Sequence, residues 1–249
     1  MWMITFIFAN LRGRPARSAL TISGVAVAVA AVVSLVGIVR GFETSLLDLY
    51  EQRGIDLLVH QAGRVQMTSS VLPEALERKI AEVPGVAEVY PSLVDMLSLL
   101  EDDMMGIPVQ GWPLGSLPLA ELKIIEGRGM LPDDQRPVML GARLATAAGK
   151  QPGDTIEMLA GEEFTVVGIF ESYNVFDSGS MVTRLEDLQR LLLRENEVTL
   201  FAVVVQDGNS ESIGQTVAAI SDLQQGVEAS PVRELAEKSS EIKIARSFA

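Results

Sequence analysis

The sequence predicts an α+β protein: one membrane-spanning helix near the N-terminus, stalk helices, and a large mixed domain outside the membrane. Three observations carry this. Ala19–Val39 is a 21-residue run without a charge. After it, strand–helix–strand patterns appear at both ends of the remaining chain, with a turn-rich β segment between them. No other apolar run approaches 18 residues, so the rest of the chain has the texture of short strands and amphipathic helices.

The apolar run comes first. At about 1.5 Å per residue, 21 helical residues cover about 31 Å, close to the ~30 Å hydrocarbon core of a bilayer. Two other readings are weighed against the membrane anchor. A buried helix of a soluble core seldom runs this long without a charge. A cleaved signal peptide has an apolar stretch of only about 7–15 residues followed by small residues, whereas here Val39 leads into Arg40-Gly41-Phe42-Glu43.

Charge sets the orientation. Residues 1–18 contain Arg12, Arg14 and Arg17 and no acid. The other 17 Lys and Arg and all 33 Asp and Glu fall in 40–249, a net of −16. Short Arg-rich flanks stay in the cytoplasm, so residues 1–18 are expected there and the main domain outside. This acidic exterior argues against nucleic acid, which needs clustered cations, and leaves membrane lipid as the partner of the span. Cysteine is absent, so packing rather than disulfides must hold the domain, and thiol chemistry is excluded.

Within the span, Ala26, Ala30 and Ser34, then Gly37 and Gly41, follow small-xxx-small spacing, a pattern that lets membrane helices pack closely. Phe42, Leu46, Leu49 and Tyr50 continue as one apolar stripe at i, i+4, i+7 and i+8, so 40–54 reads as a stalk helix carried on from the span.

A first strand is expected at Asp56–Gln61, a helix at Val71–Glu82 with Leu72, Leu76 and Ile80 on one face, and a second strand at Val86–Leu93, where Pro91 suggests an edge or a bend. From 95 to 197 the expected elements are a short strand Val138–Gly141, a helix Ala142–Ala148, a hairpin of Asp154–Leu159 and Glu163–Phe170, and a helix Arg184–Leu193. Leu200–Val205 reads as a buried strand, Ser212–Leu223 as a helix and Val227–Ala229 as a strand. The organisation is thus a split α/β lobe, 55–94 and 198–230, with 95–197 inserted. Ser230-Pro231 reads as a helix N-cap with Pro at the first helical position. The last segment, 231–249, reads as a return stalk helix with Leu235 and Ile242 at heptad spacing.

Catalytic and metal motifs are sparse. His60 is the only histidine and reads as a strand-end or surface residue. The pairs Asp102-Asp103, Asp133-Asp134 and Glu162-Glu163 sit in turn-like contexts without a calcium-loop pattern. Gly127-Arg128-Gly129 reads as a turn. Met96, Met104, Met105 and Met130 fall in the inserted region, as core filler or as a soft contact surface. Tyr173–Phe176 lies in a turn-rich loop. No P-loop or nucleophile-elbow motif occurs.

The layout and three local stretches resemble the MacB/FtsX-type ABC transporter permeases. Asn10–Ala30 (NLRGRPARSALTISGVAVAVA) is similar to that family's opening, Pro137–Glu171 (PVMLGARLATAAGKQPGDTIEMLAGEEFTVVGIFE) to its exterior core, and Leu185–Leu192 to the helix that follows. The resemblance implies a porter-like α/β lobe with a β-rich insertion. It implies a non-enzymatic permease subunit in the bacterial inner membrane, paired with a second permease subunit as a homo- or heterodimer. It implies no cofactor in this chain, ATP being bound by a separate ATPase subunit, and admits a periplasmic adaptor protein as a further partner. The expected function is mechanical transmission of ATP-driven motion for export or extraction of a substrate; the alternative is a membrane-anchored regulatory module that activates an extracytoplasmic partner without transport. Family permeases carry three further spans after the exterior domain, so a chain of this extent is expected to be a fragment or a truncated gene.

Overall fold

The fold is taken from a computed structural model that describes residues 15–52, 54–63, 69–99, 104–159, 161–172, 175–232 and 234. The chain divides into two compact units, Met1–Glu43 and Thr44–Ala249.

Helix α1 spans Pro15–Gln52 without a break, 38 residues. Its Ala19–Gly37 stretch has a mean hydropathy of 2.4 and none of it is buried. An apolar helix surface left open all round suits lipid, not water.

The second unit is organised by one sheet. Its strands are β1 (Leu57–Gln61), β3 (Val86–Leu99), β4 (Met104–Trp112), β5 (Lys123–Gly127), β6 (Pro137–Gly141), β7 (Thr155–Leu159), β8 (Glu162–Glu171), β9 (Met181–Arg184), β11 (Leu200–Val205) and β12 (Val227–Pro231). The order is β12-β1-β11-β3-β4-β9-β6-β8-β5, with β7 also on β8. A separate two-stranded ribbon joins β2 (Leu72–Pro73) to β10 (Glu197–Val198).

The first four strands interleave. β11 lies between β1 and β3, and β1 between β11 and β12, each pair antiparallel. Helix α2 (Leu76–Ala81) links β1 to β3, and α7 (Ser210–Ser221) links β11 to β12. This is a split βαβ arrangement with its second and third strands separated by an insertion. The halves meet in β3, whose Val86–Ser92 pairs with β11 and whose Leu93–Leu99 pairs with β4. The boundary expected at 94–95 therefore falls inside a strand.

Alternation along the strands builds two apolar layers. Leu57, Val59, Phe201 and Val203 face one side, where Leu76 and Ile80 of α2 and Ile220 of α7 cover them; the same layer continues through Val109, Val138, Leu140 and Phe164. Leu58, Leu200 and Ala202 face the other side, in a cluster with Trp112, Met139, Val182 and Phe170. Short helices α3 (Leu117–Ala120), α4 (Ala142–Ala148), α5 (Val175–Ser178) and α6 (Leu185–Leu191) complete the insertion.

Several local expectations change. The helix expected over Val71–Glu82 begins only at Leu76, because Leu72 and Pro73 bridge β10 instead. β3 runs six residues past Leu93 and lies mid-sheet, not at an edge. Pro91 is tolerated there because pairing with β4 starts only at Leu93, so it has one partner strand, Phe201 being its register mate. Ser230 and Pro231 themselves lie in β12, opposite Leu58 and Leu57, and helical residues follow directly at Val232 and Glu234.

Two helices end alike. After α4, Gly149 N–H bonds Thr146 O (3.4 Å) and Lys150 N–H bonds Ala145 O (3.0 Å), with Gly149 at φ 63. After α6, Leu193 N–H bonds Arg190 O (3.3 Å) and Arg194 N–H bonds Gln189 O (2.8 Å), with Leu193 at φ 54. Both are Schellman motifs. The second places a leucine, 83% exposed, where glycine is favoured.

Candidate functional site

The small-residue row of the span can be followed directly. Ala26, Ala30, Ser34 and Gly37 are all exposed, and a Cβ added at Gly37 would meet nothing within 4 Å. Gly41, Phe42, Leu46, Leu49 and Tyr50 are helical positions of α1. Arg17 is also helical; Arg12, Arg14, Leu235 and Ile242 lie outside the described residues, as do Asp102, Asp103, Tyr173 and Asn174.

The structural centre of the domain's connection is a residue the sequence reading passed over, Asp56, just ahead of β1. Its backbone N–H donates to Val203 O (3.1 Å) and its carbonyl accepts from Val232 N–H (3.0 Å). Its carboxylate Oδ2 accepts from Val205 N–H at 2.8 Å. One residue thus ties together β1, β11 and the chain as it leaves β12. Ile55 and Val232, on either side of this junction, are both buried in the second apolar cluster. The segment arriving from residue 54 and the segment departing after 231 are adjacent by hydrogen bond and by packing.

Elsewhere the charged groups brace loops. Arg128 donates two bonds of 2.7 Å to the carboxylate of Asp134, which also accepts from Leu131 N–H at 2.7 Å. The Arg128 hydrogen bonds, and then the Leu131 amide, hold the Asp134 carboxyl below its usual range against some desolvation. Arg184 reaches the carbonyls of Pro132 (3.1 Å) and Asp134 (2.9 Å), while its Nε donates to the buried Asp187 at 2.6 Å. Arg136 pairs with Glu162. Of the acidic pair at 133–134, Asp134 is therefore part of a loop clasp. No group of three or more metal-ligating side chains occurs among the described residues.

His60 is buried, not on the surface: it is 9% exposed within β1, its Nδ1 near Gln61 O and its Nε2 without a partner among the described residues. Met96 and Met105 are exposed on the β3–β4 hairpin, whereas Met104 packs on the first apolar layer and Met130 on the second. The four methionines thus do not form one surface.

The glycines of the resembling stretches have a steric reason. A Cβ at Gly141, ending β6, would fall on the carbonyl oxygens of Asp177 and Ser178, and one at Gly168 of β8 on the carbonyl of Arg128. Each admits a close backbone crossing that any side chain would block.

A membrane-type helix joined to an interleaved α+β sheet, braced by ion pairs, defines an anchored structural domain. The family described as "MacB-like periplasmic core domain" matches residues 18–223, and the chain belongs to it. The chain is 32% identical over 93 residues to the macrolide export ATP-binding/permease protein MacB of Nitrobacter winogradskyi, an alignment covering 37% of this chain and 14% of that protein. Two solved structures share the fold. The periplasmic region of MacB from Actinobacillus actinomycetemcomitans superposes with a TM-score of 0.57 at 15% identity, over 76% of this chain and 95% of that one. The extracellular domain of the noncanonic ABC-type transporter YknZ from Gram-positive bacteria gives 0.55 at 16% identity, over 70% and 98%.

Proposed function

We propose that the chain is the membrane-anchored, extracytoplasmic part of an ABC transporter permease that receives motion from a separate ATPase subunit and passes it to the exterior sheet. In this reading Arg12, Arg14 and Arg17 keep the N-terminus in the cytoplasm of a bacterial inner membrane, and two permease subunits act together. The chain's own chemistry is mechanical, and ATP hydrolysis belongs to the partner. The observation that supports it is the Asp56 junction. A displacement of the segment before Ile55 or of the segment after Pro231 acts on adjacent strands β1 and β12, and hydrogen bonds spread that load to β11. A stiff hydrogen-bonded sheet moves as a body.

The test begins with purification of the tagged protein from membranes of its host. A P-loop ATPase should accompany it, and Asp56→Ala should leave that association intact while reducing the host's export or extraction phenotype. No associated ATPase, together with no phenotype on deletion, would refute the reading. An ATPase with an altered extracytoplasmic partner activity but no moved substrate would instead support the regulatory module.

A further inference from the structure

The ladders of the large sheet do not run unbroken from one end to the other. Pairing of β3 with β11 ends at Ser92, opposite Leu200. Pairing of β3 with β4 begins at Leu93, opposite Gly111. No residue of β3 is therefore paired on both sides. As ladders, the two halves share only the backbone that runs from Ser92 to Leu93.

Two hydroxyls close this gap. Thr199, just ahead of β11, accepts at Oγ1 from Val94 N–H (2.9 Å) and donates from it to Ser92 O (3.0 Å). Val94 lies in the part of β3 that pairs with β4, so Thr199 reaches past the handover from the β11 side. Ser92 reaches past it from the other side, its Oγ donating to Gly111 O of β4 at 3.1 Å. The row then continues. Gly111 pairs with Thr183 of β9, and Thr183 Oγ1 donates to Pro137 O of β6 at 2.6 Å. Ser92, Thr183 and Thr199 are each 0% exposed. Hydrogen bonds in so dry a setting are stronger than in water, and losing one strands a buried polar group.

We propose that Thr199 and Ser92 are the coupling residues of the sheet: their hydroxyls carry a displacement of β1 and β11 across the handover into the insertion. The apolar layers cross the same boundary, but hydrophobic attraction is non-directional. It holds the halves together without fixing their register, which the directed bonds of Thr199 and Ser92 do. The biological use of this coupling rests on the mechanical reading above; the coupling itself does not.

The experiment follows amide hydrogen exchange by mass spectrometry in the membrane-anchored chain. Asp56→Ala removes the acceptor of Val205 N–H and so loosens the first half. With the joint intact, it is expected to speed exchange in Leu200–Val205 and in Met181–Arg184 by factors that agree within about twofold. Thr199→Val keeps the shape of the side chain and deletes its hydroxyl. In that background Asp56→Ala should still speed exchange in Leu200–Val205, while its effect on Met181–Arg184 falls by about fivefold or more. Thr199→Ser keeps the hydroxyl and should restore the transmitted effect. Ser92→Ala leaves Val94 N–H bonded to Thr199 and gives the same test if the valine variant does not fold. An Asp56 effect that reaches Met181–Arg184 undiminished in the hydroxyl-deleted variants, that is missing there in the original joint, or that Thr199→Ser does not restore would overturn the proposal. Lost coupling with an unchanged host phenotype would support the joint and refute the mechanical reading, whereas retained coupling sinks the joint alone.

Discussion

The backbone N–H of Val232 donates to the carbonyl of Asp56 at 3.0 Å, so the residue that follows the last strand is bonded to the residue that precedes the first. These residues stand 176 positions apart in sequence, and the bond between them closes nearly the whole exterior chain.

Asp56→Ala removes the acceptor of Val205 N–H and leaves a strand-end amide unsatisfied. Loss of a hydrogen bond to a charged group costs roughly 1.5–3 kcal/mol. Chemical denaturation of the anchored chain should show a lower midpoint of that order, with an unchanged slope.

Glycine replacements should divide by location. Gly141→Ala and Gly168→Ala drive a methyl into backbone carbonyls and should destabilise by at least about 1–3 kcal/mol. Gly214→Ala, within α7 and meeting nothing within 4 Å, should stabilise by about 0.5–1 kcal/mol. Thermal melts of the three variants check the ranking.

Leu193→Gly should stabilise by about 1 kcal/mol. The leucine holds a left-handed conformation at φ 54 and its side chain is mostly in solvent, so little packing is lost while the αL strain is relieved. A melting temperature below that of the unsubstituted chain would show that the side chain makes a contact of its own.

The Arg128–Asp134 clasp should be pH-dependent. The Arg128 hydrogen bonds hold the Asp134 carboxyl below its ordinary value of 3.8, so its contribution is complete above that value and fades as pH falls through the lower, folded one. Melts of the unsubstituted chain and of Asp134→Asn should differ at pH 6 and converge as pH falls well below the ordinary carboxyl value of 3.8. A difference that persists at the acid end would mean that the carboxylate is not the cause.

Replacing Arg12, Arg14 and Arg17 by Glu should weaken or invert insertion of the span. A phosphatase reporter fused near residue 100 reads this out: active in the original chain, less active in the triple variant.

Much of the fold was legible, for particular reasons. Leu200–Val205 is read correctly because six apolar residues between polar ends, three of them valine, are too short for a buried helix and suit a strand buried on both faces. Ala142–Ala148 is read to its bounds because Gly149 stops it. Leu72 misled because its spacing to Leu76 and Ile80 is helical, yet a bridge to Val198 outweighs a first turn that Pro73 disrupts. Ser230-Pro231 has the form of a helix start, and helical residues do follow at Val232 and Glu234, but pairing with Leu58 and Leu57 of β1 holds the two residues themselves in a strand. The Asp56 junction carries no local signal at all. An aspartate before an apolar run is ordinary, and its three partners come from residues 203–232.

The interleaving of β1 with β11 and β12 also has a consequence in time. During synthesis, Leu57–Gln61 is made about 140 residues before its first partner strand. At roughly 5–20 residues per second, that is an interval of about 7–28 s in which Leu57, Leu58 and Val59, all fully buried in the finished sheet, have no strand on either side. Shielding of this segment by a chaperone during those seconds therefore bears on the yield of folded protein as directly as any contact in the completed domain.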